Sequence, residues 1–320
     1  MPINGEGADF ELVRTPDGDR EAWLEQRRHG VGGSDVAAIM GFSAFRGPYA
    51  VWAEKTGRLV PEDISDKPAV HWGNVLEPIV AGEYRSRHPD RRVRRVNAVC
   101  RSISRPWAQA SLDFEVHDPE LGWGVLEIKT AGLRREGDWE EGVPLYYQTQ
   151  VAHYLSVTGR KYADVAVLIG GQEYREYRVM RDEDDVSAVE EAVDEFWHSY
   201  VEADVEPRIT GARDDGAAVL SAHPGGEGEG YSDVTPEMAE FREASRDRAR
   251  ADERYREASN AMKKLIGDRS AIDTPDGRFS WVRAKSDRFD MRRFREERPD
   301  VYEAYVVESE RDMGIRFKEK

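Results

Sequence analysis

Cysteine is almost absent from this 320-residue chain: Cys100 is the only one, so no intrachain disulfide, no cysteine-rich zinc site and no four-cysteine iron–sulfur cluster can form within it. Long apolar runs are missing too. No stretch approaches the roughly 20 residues of a membrane-spanning helix, and Met1, Pro2, Ile3, Asn4, Gly5, Glu6 supply neither the basic nor the apolar region of a signal peptide. With 34% charged residues and a mean hydropathy of -0.73, the expectation is a soluble cytoplasmic protein, in the host cytoplasm if the gene is phage-borne. A basic excess is lacking as well. The 47 Lys and Arg against 63 Asp and Glu leave a net charge of -16, which argues against a protein that coats nucleic acid by electrostatics alone. Arginine can still be concentrated on one path, and Arg85, Arg87, Arg91, Arg92, Arg94, Arg95, Arg101 and Arg105 form such a local excess, readable either as a DNA contact or as a solvated helix end and strand.

What is present is a pattern of mixed helix and strand over residues 1 to about 210. Alternation predicts strands at 93–104, 109–116, 124–130, 162–169 and 173–179. Helical spacing and start signals predict helices at 20–28, 34–40, 48–56, 74–87, 146–157 and 182–203. Residues 211–235, rich in Gly, Ala, Asp and Glu around Pro224, Gly225 and Gly226, read as a flexible linker. Beyond it, 236–320 reads as an extension: a long charged helix at 236–266 with a thin apolar seam, two short strands about a turn at 274–277, and a helical piece at 291–302.

Within the apolar run Val125, Leu126, Glu127, Ile128, Lys129, Thr130, a strand turns Leu126 and Ile128 to one face and Glu127 with Lys129 to the other. Asp113 lies fourteen residues upstream in Ser111, Leu112, Asp113, Phe114, Glu115, Val116, and the stretch 117–122 reads as a turn. A hairpin would therefore set Asp113 beside Glu127 and Lys129. Two carboxylates and an ammonium on one face suit a divalent metal and an activated water at a phosphodiester, although an exposed cross-strand ion pair fits the same pattern. In Trp72, Gly73, Asn74, Val75, Leu76, Glu77, Pro78, the spacing places Glu77 one turn into a helix, where it completes a metal shell or merely faces the helix dipole. Gly30, Val31, Gly32, Gly33, Ser34 leads into a helix start, a site for a phosphate or a plain N-cap, and not a Walker loop. Gln148 and Gln150 open another helix, and Gln148 is the one harder to explain as packing.

In order, the strings W-L-E-Q-R-R-H-G-V-G-G-S-D (23–35), W-G-N-V-L-E-P (72–78), S-L-D-F-E (111–115), L-E-I-K-T (126–130) and Y-Y-Q-T-Q-V-A-H-Y-L (146–155) resemble the YqaJ-type viral recombinases. These are phage alkaline exonucleases similar to lambda exonuclease, within the PD-(D/E)xK nuclease superfamily. The resemblance implies an α/β fold with a central mixed β-sheet flanked by helices, an exonuclease domain over 1–210 and a helical C-terminal extension. It implies Asp113, Glu127, Glu77 and the Ile128 carbonyl as ligands of Mg2+, with Mn2+ a substitute, Lys129 as the catalytic lysine and Gln148 as its assistant. Arg27 and Ser34, with Arg28 as the rival arginine, would hold a 5′ phosphate. The implied activity is resection of linear duplex DNA from 5′ ends to leave 3′ overhangs for recombination. Implied partners are double-stranded DNA ends, a single-strand annealing protein and further copies in a ring of three, with no membrane. An endonuclease of the same superfamily, or a non-catalytic DNA-binding or assembly module, is the alternative.

Overall fold

The computed structural model describes residues 9–14, 20–223, 230, 232–282, 284–307, 314–315 and 317. The chain divides into two compact units, Met1–Gly226 and Glu227–Lys320. Among the described residues no helix is long and apolar enough to cross a membrane.

The first unit runs β1 (Phe10–Val13), α1 (Arg20–Arg28), α2 (Gly33–Ile39), α3 (Pro48–Lys55), α4 (Pro68–Arg87), β2 (Arg92–Arg95), β3 (Val99–Ser102), β4 (Gln109–Ser111), β5 (Phe114–Asp118), β6 (Gly122–Ala131), α5 (Leu145–Thr158), β7 (Tyr162–Ile169), β8 (Glu173–Met180), α6 (Glu183–Phe196) and α7 (Arg213–Ala222). A five-stranded sheet has the order β2-β5-β6-β7-β8. Only β6 and β7 pair in parallel, so the chain must cross over between them, and α5 makes that crossing. One face of β6 meets α4: Leu126 and Ile128 pack with Phe114, Val80, Ala81 and Tyr84. On the other, Val125 joins Val151, Tyr154 and Leu155 of α5. This is the expected mixed sheet flanked by helices.

Two expected strands prove to be four. Each of 93–104 and 109–116 leaves one sheet and enters another: β2 and β5 pair in the large sheet, whereas β3 and β4 pair in a three-stranded sheet of order β1-β3-β4. The two chains stay stitched where they bend, since Val96 N donates to Asp113 O at 3.2 Å. Asp113 therefore sits in a kink between β4 and β5. The alternation of apolar residues runs unbroken across it, with Val96 and Leu112 both buried, and so gave no sign of the switch.

Other boundaries differ for local reasons. Pro68 starts α4 six residues before the expected position, because proline suits the first helical turn. Glu77 is thus in mid-helix, and Pro78, lacking an N–H, leaves the Asn74 carbonyl without its intrahelical donor. The cap of α2 is Gly32 rather than Ser34; Asp35 accepts from Gly32 N at 3.1 Å, and Ser34 lies inside the helix. The first half of the expected linker is α7, whose buried Asp215 accepts from Ala50 N at 2.9 Å and Thr210 N at 2.8 Å. Pro224, Gly225 and Gly226 lie outside the described residues.

The second unit holds α8 (Pro236–Ile266), capped by Thr235 Oγ1 on Met238 N at 3.3 Å, and the hairpin β9 (Ala271–Thr274) with β10 (Gly277–Ser280). Its last helical piece is two, α9 (Met291–Glu297) and α10 (Pro299–Tyr305), broken where Pro299 keeps Arg298 out of helical backbone, at φ -135° and ψ 59°.

Tyr162 fastens the β5–β6 turn, with Oη within 3.2 Å of the Val116 carbonyl and of Asp118 N, and its ring fills the space where a Cβ on Gly124 would lie. Gly124→Ala should lower the stability of the first unit by about 1–3 kcal/mol, read as a lower urea midpoint. An unchanged midpoint would contradict this packing.

Candidate active site and phosphate cleft

The β5–β6 pairing sets Phe114 opposite Leu126, which brings Asp113 alongside Glu127. Asp113 Oδ2 accepts from Ile128 N at 2.9 Å. Glu127 is only 2% exposed, and its Oε1 receives Lys129 Nζ at 2.6 Å and Gln150 Nε2 at 2.9 Å. Gln150 also links outward, accepting from Lys129 Nζ at 3.2 Å and donating to Tyr154 Oη at 2.7 Å. The Tyr147 ring lies 4.7 Å from Lys129 Nζ. Glu77 reaches the same pocket from α4, its Oε1 accepting from Arg95 Nη2 at 2.7 Å. Asp113, Glu127, Ile128, Lys129, Glu77 and Asn74 line a hollow of about 240 Å³.

All three carboxylates hold their protons more tightly than usual. Burial is the main cause at each: it pushes Glu127 up to about 7 against the pull of Lys129, with Asp113 adding to the rise. Burial and Asp113 raise Glu77, and burial raises Asp113 despite the Ile128 N–H and Lys129. Burial favours a neutral Lys129, but Glu127 and Asp113 outweigh it and the ammonium stays charged.

The residues fit a divalent cation on one observation above others: Glu127 Oε2 is buried without a hydrogen-bond partner. Among the described residues no three His, Cys, Asp or Glu side chains form a metal cage by themselves. Arg95 engages Glu77, whereas Asp113 and Glu127 lie side by side and would hold the ion together with the Ile128 carbonyl, two carboxylates and a main-chain oxygen.

Gln148 stands elsewhere. It is exposed and donates to the Val143 carbonyl at 2.6 Å, while Gln150, two residues on, takes the place beside Glu127 and Lys129. On a helix, residues two apart face different ways, so only one of the pair can reach β6. Gly33 makes room for this arrangement, since a Cβ there would lie 2.5 Å from Tyr154 Cε1 and 2.9 Å from Gln150 Cγ.

A wider cleft of about 870 Å³ adjoins the hollow, with Val70 and Asn74 lining both. Arg27, Ser34 and Arg46 line it. Arg28 does not; it pairs with Glu25 at 3.1 Å and leans on Gly57. Beneath the cleft Asp35 is fully buried, 2.8 Å from Lys55 Nζ, 3.2 Å from Arg46 Nη1 and 3.4 Å from Arg27 Nη2. Glu54 joins them, 3.2 Å from Arg27 Nε and paired with Arg46. Burial works against the Asp35 carboxylate, yet Lys55, Arg27 and Arg46 overcome it and hold its pKa far below the usual range. Sequence reasoning missed Arg46, Glu54 and Lys55, because an ionic cluster spread over three elements has no local pattern. It missed His153 too, whose Nε2 lies 2.9 Å from the Gln109 carbonyl and 3.2 Å from that of Val31, tying the glycine loop to β4; burial lowers its pKa to about 4, so it is neutral.

Residues 22–161, which contain every one of these groups, match the model of the YqaJ-like viral recombinase domain. This segment, a little under half of the chain, is similar to that domain. The chain is 29% identical over 313 residues to the uncharacterized protein YqaJ of Bacillus subtilis (strain 168), covering 95% of this chain and 97% of that one. The similarity to that protein thus runs through the second unit, beyond residues 22–161. Among solved structures, an alkaline exonuclease, LHK-Exo, from Laribacter hongkongensis covers 58% of this chain and 94% of its own, with 23% identity and a TM-score of 0.48. A phage related exonuclease from Haemophilus somnus 129PT covers 54% and 94%, with 12% identity and a TM-score of 0.35.

Most of the arginine excess between 85 and 105 is neutralised within the first unit. Arg87 pairs with Glu83, Arg91 with Asp118 and Asp164, Arg94 with Glu115, Arg101 with Glu11, and Arg105 with Glu190 and Asp194.

A carboxylate whose folded-state pKa is raised binds its proton more tightly folded than unfolded. Its contribution to stability is complete below the unfolded value of 4.5 and is lost as pH rises through about 7. Glu127→Gln in EDTA should therefore match wild type near pH 4.5 and exceed it in Tm increasingly toward pH 8, at about 2–4 °C per kcal/mol. A difference that does not vary with pH in scanning fluorimetry would contradict the buried, strained carboxylate.

Proposed function

We propose that this chain is a divalent-cation-dependent deoxyribonuclease that degrades linear duplex DNA from 5′ ends and leaves 3′ overhangs for recombination. The observation that carries the reading is a pair of opposite charge imbalances along one continuous cleft. Asp113, Glu127 and Glu77 formally exceed Lys129 and Arg95 by one negative charge, whereas Arg27, Arg46 and Lys55 exceed Asp35 and Glu54 by one positive charge. The first set is short of a cation and the second of an anion. A metal-assisted phosphodiesterase that grips a terminal phosphate needs both.

Asp113, Glu127 and the Ile128 carbonyl would hold Mg2+, or Mn2+ in its place, with Glu77 at the margin. When bound, the ion supplies Lewis acidity that neutralises charge on the phosphate and eases ionisation of a water. Lys129, kept protonated by Glu127, acts as a donor that orients the attacking water and stabilises negative charge developing on the phosphate oxygens. Gln150 fixes both partners, accepting from Lys129 while donating to Glu127, and so prevents the ammonium from drifting. Arg27 and Arg46, already drawn to the cleft wall by Asp35 and Glu54, present guanidinium edges to a 5′ phosphate next to Ser34. Assembly as a homo-oligomer, a ring of three by resemblance, and recruitment of a single-strand annealing protein belong to the same proposal.

Linear duplex with 5′-phosphate or 5′-hydroxyl ends, beside closed circular plasmid, should separate the possibilities. The expected outcome is Mg2+-dependent loss of linear DNA, faster with the 5′ phosphate, and an intact circle. Lys129→Ala should abolish turnover, and Gln150→Ala should slow it at least tenfold while Gln148→Ala leaves it near wild type. Cutting of the circle would replace this reading with an endonuclease, and no cleavage with any divalent cation would leave a binding or assembly role.

A further inference from the structure

Of the arginines between 85 and 105, Arg85, Arg92 and Arg95 fall outside the neutralised set, and two of them meet at one ring. Arg85 on α4 and Arg95 on β2 approach the same Phe114 ring, their guanidinium carbons 5.5 and 5.7 Å from its centroid. Arg95 faces α4 because it pairs across the sheet with Phe114, whereas Arg92 and Arg94 share the opposite face with His117 and Glu115. Arg95 has one carboxylate partner, Glu77, and the exposed Arg85 side chain makes no ion pair among the described residues. Two like charges gathered about one ring, against the single Glu77 carboxylate paired with Arg95, leave one net positive charge at the edge of an acidic hollow.

The position of that patch gives it a role. Along α4, Val70 and Asn74 border the Arg27, Ser34 and Arg46 cleft, Glu77 borders the carboxylate hollow, and Arg85 follows two turns later. From Asn74 to Arg85 the helix advances about 16 Å. We infer that Arg85 and Arg95 form a second phosphate grip, which holds the DNA backbone beside the carboxylate hollow, apart from the Arg27, Ser34 and Arg46 wall. This rests on the nuclease reading and adds to it a second contact on the bound strand, besides the one at its terminal phosphate. The patch reads charge and not base identity, so it serves every sequence equally.

The test is the salt dependence of kcat/KM on a linear 5′-phosphorylated duplex, measured for the full chain. Arg85→Ala should raise KM roughly threefold to tenfold and lessen the slope of log(kcat/KM) against log[salt] by about one. Arg95→Met should lessen the slope likewise, Arg85→Lys should restore it, and Arg92→Ala, on the other sheet face, should behave as wild type. If Arg85→Ala and Arg95→Met keep the wild-type slope while wild-type protein cleaves, the second grip is wrong and the nuclease stands. If the wild-type chain cleaves no linear duplex, the nuclease reading falls and the grip with it.

Discussion

Burial of Glu127 is the constraint around which the first unit is arranged. A carboxylate removed from water by β5, β7 and α5 is costly unless its oxygens are satisfied, and here one oxygen is satisfied by Lys129 and Gln150 while the other is left alone. Placing those two partners requires Lys129 two residues along the same strand, Gln150 on the crossover helix, and Gly33 where α2 passes beneath Tyr154 and Gln150. The kink that separates β4 from β5 then brings Asp113 to Ile128 N, adding a second carboxylate where the first is already under-compensated. Packing alone does not favour such a cluster. Its instability is of the kind that a bound cation removes.

The contrast with Asp35 shows that composition of the neighbourhood, and not burial itself, decides the fate of a carboxylate. Asp35 is as inaccessible as Glu127, yet three cations hold it ionised, while Glu127 has Lys129 as its one close cation and is driven toward neutrality. The two clusters share a groove through Val70 and Asn74. One is therefore a rigid, electropositive wall and the other a site waiting for positive charge. That juxtaposition also reconciles a net charge of -16 with the polyanionic substrate proposed above, because the affinity needed is local.

Much of this was legible in the residues. Strict alternation through 125–130 placed Glu127 and Lys129 on one face, and the turn at 117–122 brought Asp113 to them, because strand periodicity and turn chemistry are local. What the sequence concealed was non-local. Nothing at Leu112 or Val96 marks the passage from one sheet to another, since buried apolar residues serve either sheet. Gln148 and Gln150 are chemically alike, and only the rotation of α5 against β6 selects the second. Arg46 lies among loop residues and acquires meaning from Asp35 and Glu54. Of the arginine run, sequence gave the excess but not its neutralisation, which depends on partners up to 90 positions away.

The central claim is that Asp113, Glu127 and their neighbours bind a divalent cation because the folded chain leaves them short of positive charge. Mn2+ binding to the full chain, followed by electron paramagnetic resonance between pH 5.5 and 8.5, tests it without reference to DNA. The account predicts an affinity that rises through about pH 7, as Glu127 surrenders its proton, and is lost in Glu127→Gln. Binding that is absent throughout, or that is indifferent to both pH and Glu127, would contradict it.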